Sequence, residues 1–104
     1  MAVPLTVEFS GGLEALFNNE RSINLSLESR DGSENSPTIT DLVVYLCEKV
    51  MMDKRRELFV IDGYHVRPGV LVLINDADWE LVGEENYVIQ PGDEILFAST
   101  LHGG

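Results

Sequence analysis

Thr38-Ile-Thr-Asp-Leu-Val-Val-Tyr-Leu-Cys-Glu-Lys-Val-Met51 is the stretch on which the fold turns. Leu42, Val43, Leu46, Cys47, Val50 and Met51 recur at i, i+1, i+4, i+5, i+8 and i+9. That spacing gathers them into one apolar stripe along about three turns of helix. Thr38 supplies a side-chain acceptor for an N-cap, and Asp41, three residues on, lies near the positive end of the helix dipole. The pair is an aspartate form of the capping box. The charged run Asp53 to Glu57 closes the helix or follows it. A helix with one apolar stripe needs an apolar surface to cover, and the flanking sequence supplies it.

Upstream, Val3, Leu5, Val7 and Phe9 alternate with polar residues, the period of a half-buried strand. Gly11-Gly12 ends that run. Ile23, Leu25 and Leu27 alternate in the same way within Arg21 to Leu27, and the two runs are expected to pair as a hairpin. Their connection is long, and Leu13, Leu16 and Phe17 give it apolar side chains to tuck against the sheet. Glu28 to Pro37 is polar and rich in serine, so it reads as a flexible loop. Downstream, Leu58 to Ile61 is ambiguous between strand and helix. Val70 to Ile74 is a continuous run of β-formers, the pattern of a strand covered on both faces. Asn75 to Asp78 reads as a turn and Trp79 to Val82 as a short returning strand. Pro91-Gly92-Asp93 turns into a last strand, Ile95 to Ser99. The order is strand, strand, helix, strand, strand, strand. One helix must therefore lie across one face of a mixed sheet of four to five strands, since stripe and strands have only each other to bury against. The expected class is α+β, a ubiquitin-like β-grasp, with residues 1–99 as the domain and 100–104 as a flexible C-terminal tail.

Composition narrows the function. The chain has 104 residues, enough for one core and too few for two. Its net charge of −11 repels phosphate backbones, so direct nucleic-acid binding is not expected. One cysteine rules out an internal disulfide or a cysteine-cluster zinc site. The longest apolar run, Val70 to Ile74, is too short to span a bilayer. The opening Met1-Ala-Val-Pro-Leu-Thr lacks the basic and apolar segments of a signal peptide. The expected compartment is the cytosol, with entry to the nucleus by diffusion.

Catalytic constellations are scarce. Cys47 is the one thiol that His65 or His102 would have to activate, and it lies in the core-facing stripe, where a thiol acts as a small hydrophobe. Asp76 and Asp78 suit backbone bonding in a turn better than metal ligation. Lys49, Lys54, Arg55 and Arg56 read as a solvated helix end among acidic neighbours, and Trp79 as a core or interface filler. There is no glycine-rich phosphate loop and no nucleophile elbow. Gly103-Gly104 stands apart. A bland reading is a frayed tail or a cloning remnant. The chemical reading makes the Gly104 α-carboxylate the reacting group. Glycines lack a Cβ, so Gly103 lets the end thread a narrow channel. The five residues from Thr100 reach about 17 Å when extended, far enough to enter a partner's active site. A carboxylate is a poor electrophile until adenylated, so another protein must supply ATP. The chain is then a substrate and carrier, not an enzyme, and holds no cofactor or metal itself.

Several stretches are similar to the ubiquitin-related modifier 1 family of eukaryotic sulfur carriers and protein modifiers. They are Gly11-Gly-Leu-Glu-Ala-Leu-Phe17, Glu57-Leu-Phe59, Val66-Arg-Pro-Gly-Val-Leu-Val-Leu-Ile-Asn-Asp-Ala-Asp-Trp-Glu-Leu81, Gly83-Glu84 with Tyr87, and Ser99-Thr-Leu-His-Gly-Gly104. Gly92-Asp93-Glu94 also resembles the approach to the last strand in bacterial sulfur carriers of molybdopterin and thiamine synthesis. The resemblance implies that an E1-like enzyme adenylates Gly104 with ATP and that its rhodanese-like domain makes the thiocarboxylate. Sulfur then passes through a cytosolic tRNA thiolase to wobble uridine. The same terminus is implied to form isopeptide bonds with lysines of target proteins. Gly104 bears the reacting carboxyl, Gly103 threads, and Thr100, Leu101 and His102 make further tail contacts. The protein is expected to act as a monomer, away from membranes. Two alternatives stand beside this one: a bacterial-type carrier, and a non-conjugating ubiquitin-like adaptor that would not need a Gly-Gly end.

Charge adds a last expectation. After Arg67 there is no Lys or Arg, yet Asp76, Asp78, Glu80, Glu84, Glu85, Asp93 and Glu94 follow. Their turns are expected to flank the exit of the tail and surround it with a negative field that steers a basic surface of the activating enzyme.

Overall fold

The structure, a computed structural model, describes residues 2–29 and 35–99. Residues 30–34 of the expected Glu28 to Pro37 loop and all of Thr100 to Gly104 lie outside the described residues. The upstream alternation forms β1 (Val3–Ser10) and β2 (Ser22–Leu27), paired antiparallel with Val3 opposite Leu27 and Glu8 opposite Ser22. Their connection holds a short 3-10 helix over Leu13–Phe17, whose Leu13, Leu16 and Phe17 are buried as expected.

The helix starts where the sequence places it. Thr38 Oγ1 accepts from the Asp41 N–H at 3.4 Å, and Asp41 Oδ2 accepts from the Thr38 N–H at 2.9 Å, so the capping box is complete. α1 (Ile39–Tyr45) then widens into a π turn over Leu46–Val50, in which the Met51 N–H donates to the Leu46 carbonyl at 2.7 Å. Ile39, Leu42, Val43, Leu46 and Cys47 are buried. The wider turn rotates the end of the stripe, so Val50 and Met51 are only partly buried, packed at the margin of the core.

Downstream, the ambiguous segment resolves into a 3-10 turn over Arg56–Leu58 and β3 (Val60–Ile61), which pairs with β4 (His65–Val66) as a small separate ribbon. β5 (Val70–Ile74) returns through a tight turn into β6 (Ala77–Asp78). Asn75 and Asp76 form that turn, with φ of 52° and 69°, the left-handed pair a two-residue hairpin requires. Two expectations are corrected here. The returning strand is Ala77–Asp78, and Trp79–Leu81 is a 3-10 turn whose Glu80 N–H is capped by the Asp78 carboxylate at 2.9 Å. β5 is covered on one face only: Val70, Val72 and Ile74 are buried, while Leu71 is 38% exposed. Leu71 and Leu73 stand beside Ala98 and Leu96 of the neighbouring strand, so the apolar run marks an apolar outer face rather than a second covering layer.

β7 (Asp93–Ser99) completes a five-stranded mixed sheet in the order β2-β1-β7-β5-β6. It runs parallel to β1 and antiparallel to β5. The inner face meets α1 and a cluster of four phenylalanines. Phe9 stacks on Phe17 at 4.0 Å, and Phe59 meets the edges of Phe17 and Phe97 at 5.7 and 5.2 Å. Each ring comes from a different segment. The cluster thus joins β1, the first connection, the segment before β3, and β7, and each buried ring contributes about 1.5–3 kcal/mol of apolar transfer.

Candidate functional site

β7 is the strand that delivers the C-terminal residues, and it is held on both sides. Ser10 of β1 lies opposite Ala98, and Val70 of β5 lies opposite Ser99. The described part of β7 therefore ends at the centre of the sheet, held by β1 and β5. Three segments surround that point. The first is Gly11-Gly12 and the 3-10 helix that follows. The second is the stretch around Met52 and Asp53, whose N–H groups both donate to the Leu16 carbonyl, at 3.1 and 3.4 Å. The third is the turn before β5, where the Val70 N–H donates to the Arg67 carbonyl at 3.0 Å and the Arg67 N–H to Phe59 at 2.9 Å.

Arg21, Arg55, Arg56 and Arg67 lie toward this end, with acids beside several of them. Arg55 makes a two-point contact with Asp53, at 3.0 and 2.8 Å, and its guanidinium holds the Asp53 carboxyl down at about 2. Arg56 lies 3.6 Å from Glu48 and over the Tyr64 ring, and the Tyr64 hydroxyl bonds Glu48. Arg67 donates to the Glu57 carbonyl at 2.9 Å. Arg21 also lies here, since its carbonyl accepts from the Phe9 N–H near the end of β1. The basic cluster is thus a solvated set with acidic neighbours, as its sequence suggests.

The expected negative field around the exit is overturned. Because β5 and β7 are antiparallel, the Asn75-Asp76 turn lies at the start of β7, where the Asn75 N–H donates to the Glu94 carbonyl at 2.8 Å. Residues 83–90 gather at the same end, where the Ile39 N–H donates to the Tyr87 carbonyl and the Ile89 N–H to Pro37. Six strand steps separate Asp93 from Ser99, about 20 Å. The acids after Arg67 therefore crowd the far end of the molecule from the exit.

Asp93 is not a surface charge either. It is 6% exposed and accepts three hydrogen bonds. Oδ2 takes the Tyr87 hydroxyl at 2.6 Å and the Gln90 N–H at 2.8 Å, and Oδ1 takes the Asn75 side-chain amide at 2.9 Å. The Asn75 side-chain oxygen accepts in turn from the Glu94 N–H at 2.9 Å. One carboxylate thus ties β5's turn and the 87–90 loop to the start of β7. Partial burial and the bond to Asp93 push the Tyr87 hydroxyl up to about 12.

No reactive nucleophile emerges among the described candidates. Cys47 is buried, and desolvation pushes its thiol up to about 11, so it stays protonated at neutral pH. His65 Nδ1 pairs with Glu85 at 3.1 Å, far along the chain from Cys47. Trp79 is half-buried against the core. Thr100, Leu101, His102, Gly103 and Gly104 lie outside the described residues, so the structure positions their point of departure and not the residues themselves.

A mixed five-stranded sheet with one helix across its inner face, and its last strand central beside the first, defines a ubiquitin-like β-grasp protein. Comparison with known proteins narrows that class. The model of the family described as Urm1 (Ubiquitin related modifier) matches residues 4–104. Ubiquitin-related modifier 1 of Chaetomium thermophilum is 60% identical over 102 residues, covering 98% of this chain and 92% of that one. The solution structure of Urm1 from Trypanosoma brucei superposes with a TM-score of 0.79 at 39% identity, covering 99% and 97% of the two chains. Small archaeal modifier protein 1 of Methanosarcina acetivorans shares the fold at a TM-score of 0.73 and 16% identity, over 100% of this chain and 99% of that one. The chain belongs to the Urm1 family of ubiquitin-related modifiers.

Proposed function

We propose that this chain is a sulfur carrier and protein modifier whose reacting group is the Gly104 carboxylate. The observation that carries the reading is β7: a central strand, fixed on both sides, ends five residues before Gly104 in a chain of the Urm1 family. An E1-like enzyme joins the Gly104 carboxylate to the α-phosphorus of ATP, and pyrophosphate leaves. A persulfide of the rhodanese-like domain attacks the mixed anhydride and displaces AMP, and a second thiol then cleaves the resulting acyl disulfide, releasing the thiocarboxylate as the two thiol sulfurs join in a disulfide. The sulfur is passed by a cytosolic tRNA thiolase to wobble uridine, and lysine amines of target proteins attack the same activated carbonyl to form isopeptide bonds. The compartment is the cytosol, with the nucleus reached by diffusion. Gly103 keeps the approach to the carboxyl free of side chains, and Thr100, Leu101 and His102 make further tail contacts with the enzyme. The buried, protonated Cys47 supports the reading, because it leaves the terminus rather than the body as the chemical group.

The test is the intact mass of the chain isolated from its own cells, with and without Gly104. Sulfur replacing one carboxylate oxygen is expected on the full chain and absent from the truncated one. A full chain that is never adenylated or thiolated, and that binds partners equally well without Gly104, would establish the adaptor instead.

A further inference from the structure

The sheet register brings Gly11 against the backbone of Ser99. β1 and β7 run parallel and in step, from Leu5 opposite Asp93 to Ser10 opposite Ala98. One residue further, the first chain turns away at Gly11 with φ of +69°. The turn happens in contact with the neighbouring strand. A Cβ on Gly11 would sit 2.2 Å from the Ser99 carbonyl oxygen, 3.0 Å from its nitrogen and 3.1 Å from its carbonyl carbon. All three are backbone atoms, so no side chain can swing aside to make room. Gly12, the next residue, is a natural contrast. Its φ is +102°, equally a glycine conformation, yet a Cβ there would meet nothing within 4 Å. The two adjacent glycines therefore separate backbone strain from contact: both need a positive φ, and only Gly11 also needs to be empty.

What Gly11 touches is the last described residue before the C-terminal segment. On the opposite side Ser99 is paired to Val70, which is buried, so the end of β7 cannot shift that way without breaking the ladder. We infer that Gly11 is a positioning residue for the C-terminal carboxylate: its missing side chain fixes where the backbone of Ser99 lies, the point to which residues 100–104 are attached. The inference rests on the proposed function, in which that carboxylate is delivered to an activating enzyme. The contact itself gives the scale: to relax a Cβ at 2.2 Å from the Ser99 carbonyl oxygen to the 3.4 Å of ordinary contact, the end of β7 and the turn at Gly11 must part by about 1 Å. Displacements of about 1 Å at a reacting centre already cost up to about a hundredfold in rate.

The experiment compares the full chain with its Gly11→Ala and Gly12→Ala variants as substrates for the activating enzyme, following ATP–pyrophosphate exchange, with backbone amide NMR on each. Each variant adds a single methyl group to the body, so KM for the carrier should stay within about twofold. The expected result is a fall in kcat of about tenfold or more for Gly11→Ala and less than twofold for Gly12→Ala. Amide shifts in Gly11→Ala should concentrate at Ser99, Val70 and residues 100–104. A folded Gly11→Ala chain with the kcat of Gly12→Ala overturns the inference. If Gly11→Ala does not fold, a second variant decides: two glycines inserted after Ser99 leave the body untouched but detach the terminus from its pivot. That chain should lose kcat at unchanged stability, and full activity would overturn the inference. Failure of the functional reading looks different. There the unmodified chain itself is not activated, with or without Gly104, and the amide shifts at Ser99 and 100–104 alone judge the pivot.

Discussion

Replacing Asp93 by alanine removes an acceptor on which three donors converge, from Tyr87, Gln90 and Asn75. A hydrogen bond to a charged group contributes about 1.5–3 kcal/mol, and a buried donor left unpaired costs about 1–3 kcal/mol. Tyr87 is half-buried and Asn75 and Gln90 are exposed residues, so all three donors recover part of their loss from water. The expected cost of Asp93→Ala is about 3–5 kcal/mol, a large share of the 5–15 kcal/mol that holds a domain of this size. Asp93→Asn should be milder, at about 1–3 kcal/mol, for a reason the geometry supplies. Its carbonyl can keep the Tyr87 and Gln90 bonds, but its amide then faces the Asn75 amide, donor against donor. Asn75 cannot flip to answer it, because its own oxygen accepts from the Glu94 N–H. The assay is urea unfolding at neutral pH, read as a shift in midpoint at constant slope. The ranking Asp93→Ala, then Asp93→Asn, then a negligible Glu94→Gln is the signature of a buried clasp. Equal midpoints for the first and last would refute it and return Asp93 to the surface. Because this clasp lies about 20 Å from Ser99, activation of the folded Asp93→Asn chain should proceed at the ordinary rate.

Cys47→Ala should cost about 1–2 kcal/mol through a small cavity and leave thiocarboxylate formation unchanged in the folded protein; loss of sulfur loading at full folding would implicate the thiol. In the native chain Cys47 should resist alkylation at neutral pH, since burial holds its thiol up at about 11, and rapid labelling under native conditions would contradict its placement. Tyr87 predicts an alkaline limb of stability. Its folded value is raised to about 12 while the unfolded side chain titrates near 10, so the unfolded state binds fewer protons between those pH values; the contribution is intact below about 10 and is lost on rising toward 12. Tyr87→Phe should flatten that limb, and an unchanged pH profile would argue against the Asp93 contact. Neutralising Asp76 and Glu94 together should leave the rate of association with the activating enzyme nearly unchanged at low salt, because these charges lie at the opposite end from the exit; a salt-sensitive drop would show that the enzyme reads the acidic end after all.

What the sequence disclosed, and what it hid, follows from how far each feature reaches. The helix stripe and the alternation of β1 and β2 were legible because a period of 3.6 or 2 maps each residue directly onto a face, and the capping box because it is complete within four residues. The π turn was not legible. Nothing within residues 46–51 announces it, and the Met52 and Asp53 N–H groups that follow it donate to the Leu16 carbonyl, more than thirty residues distant in the chain. The one-sided cover of β5 is not legible, because a run of apolar residues reports side-chain chemistry, not coverage. Leu71 and Leu73 pair across the ladder with Ala98 and Leu96, and the four form an apolar strip on the outer face of the sheet. The acids after Arg67 were misplaced for a topological reason. Their order along the chain puts them next to β7, but only the antiparallel pairing with β5 decides which end of β7 they meet, and it is the end the terminus does not leave from. Nothing local marks Asp93 as a buried carboxylate; its three donors come from positions 75, 87 and 90 and converge only in the folded chain. The same parallel pairing that carried the acids away brought Gly11 to Ser99. In the sequence Gly11-Gly12 is one turn signal made of two interchangeable letters. In the fold the first glycine faces the strand that ends in the reacting terminus and the second faces open space, so the pair divides into a residue whose substitution should re-aim the chemistry and one whose substitution should only strain the turn.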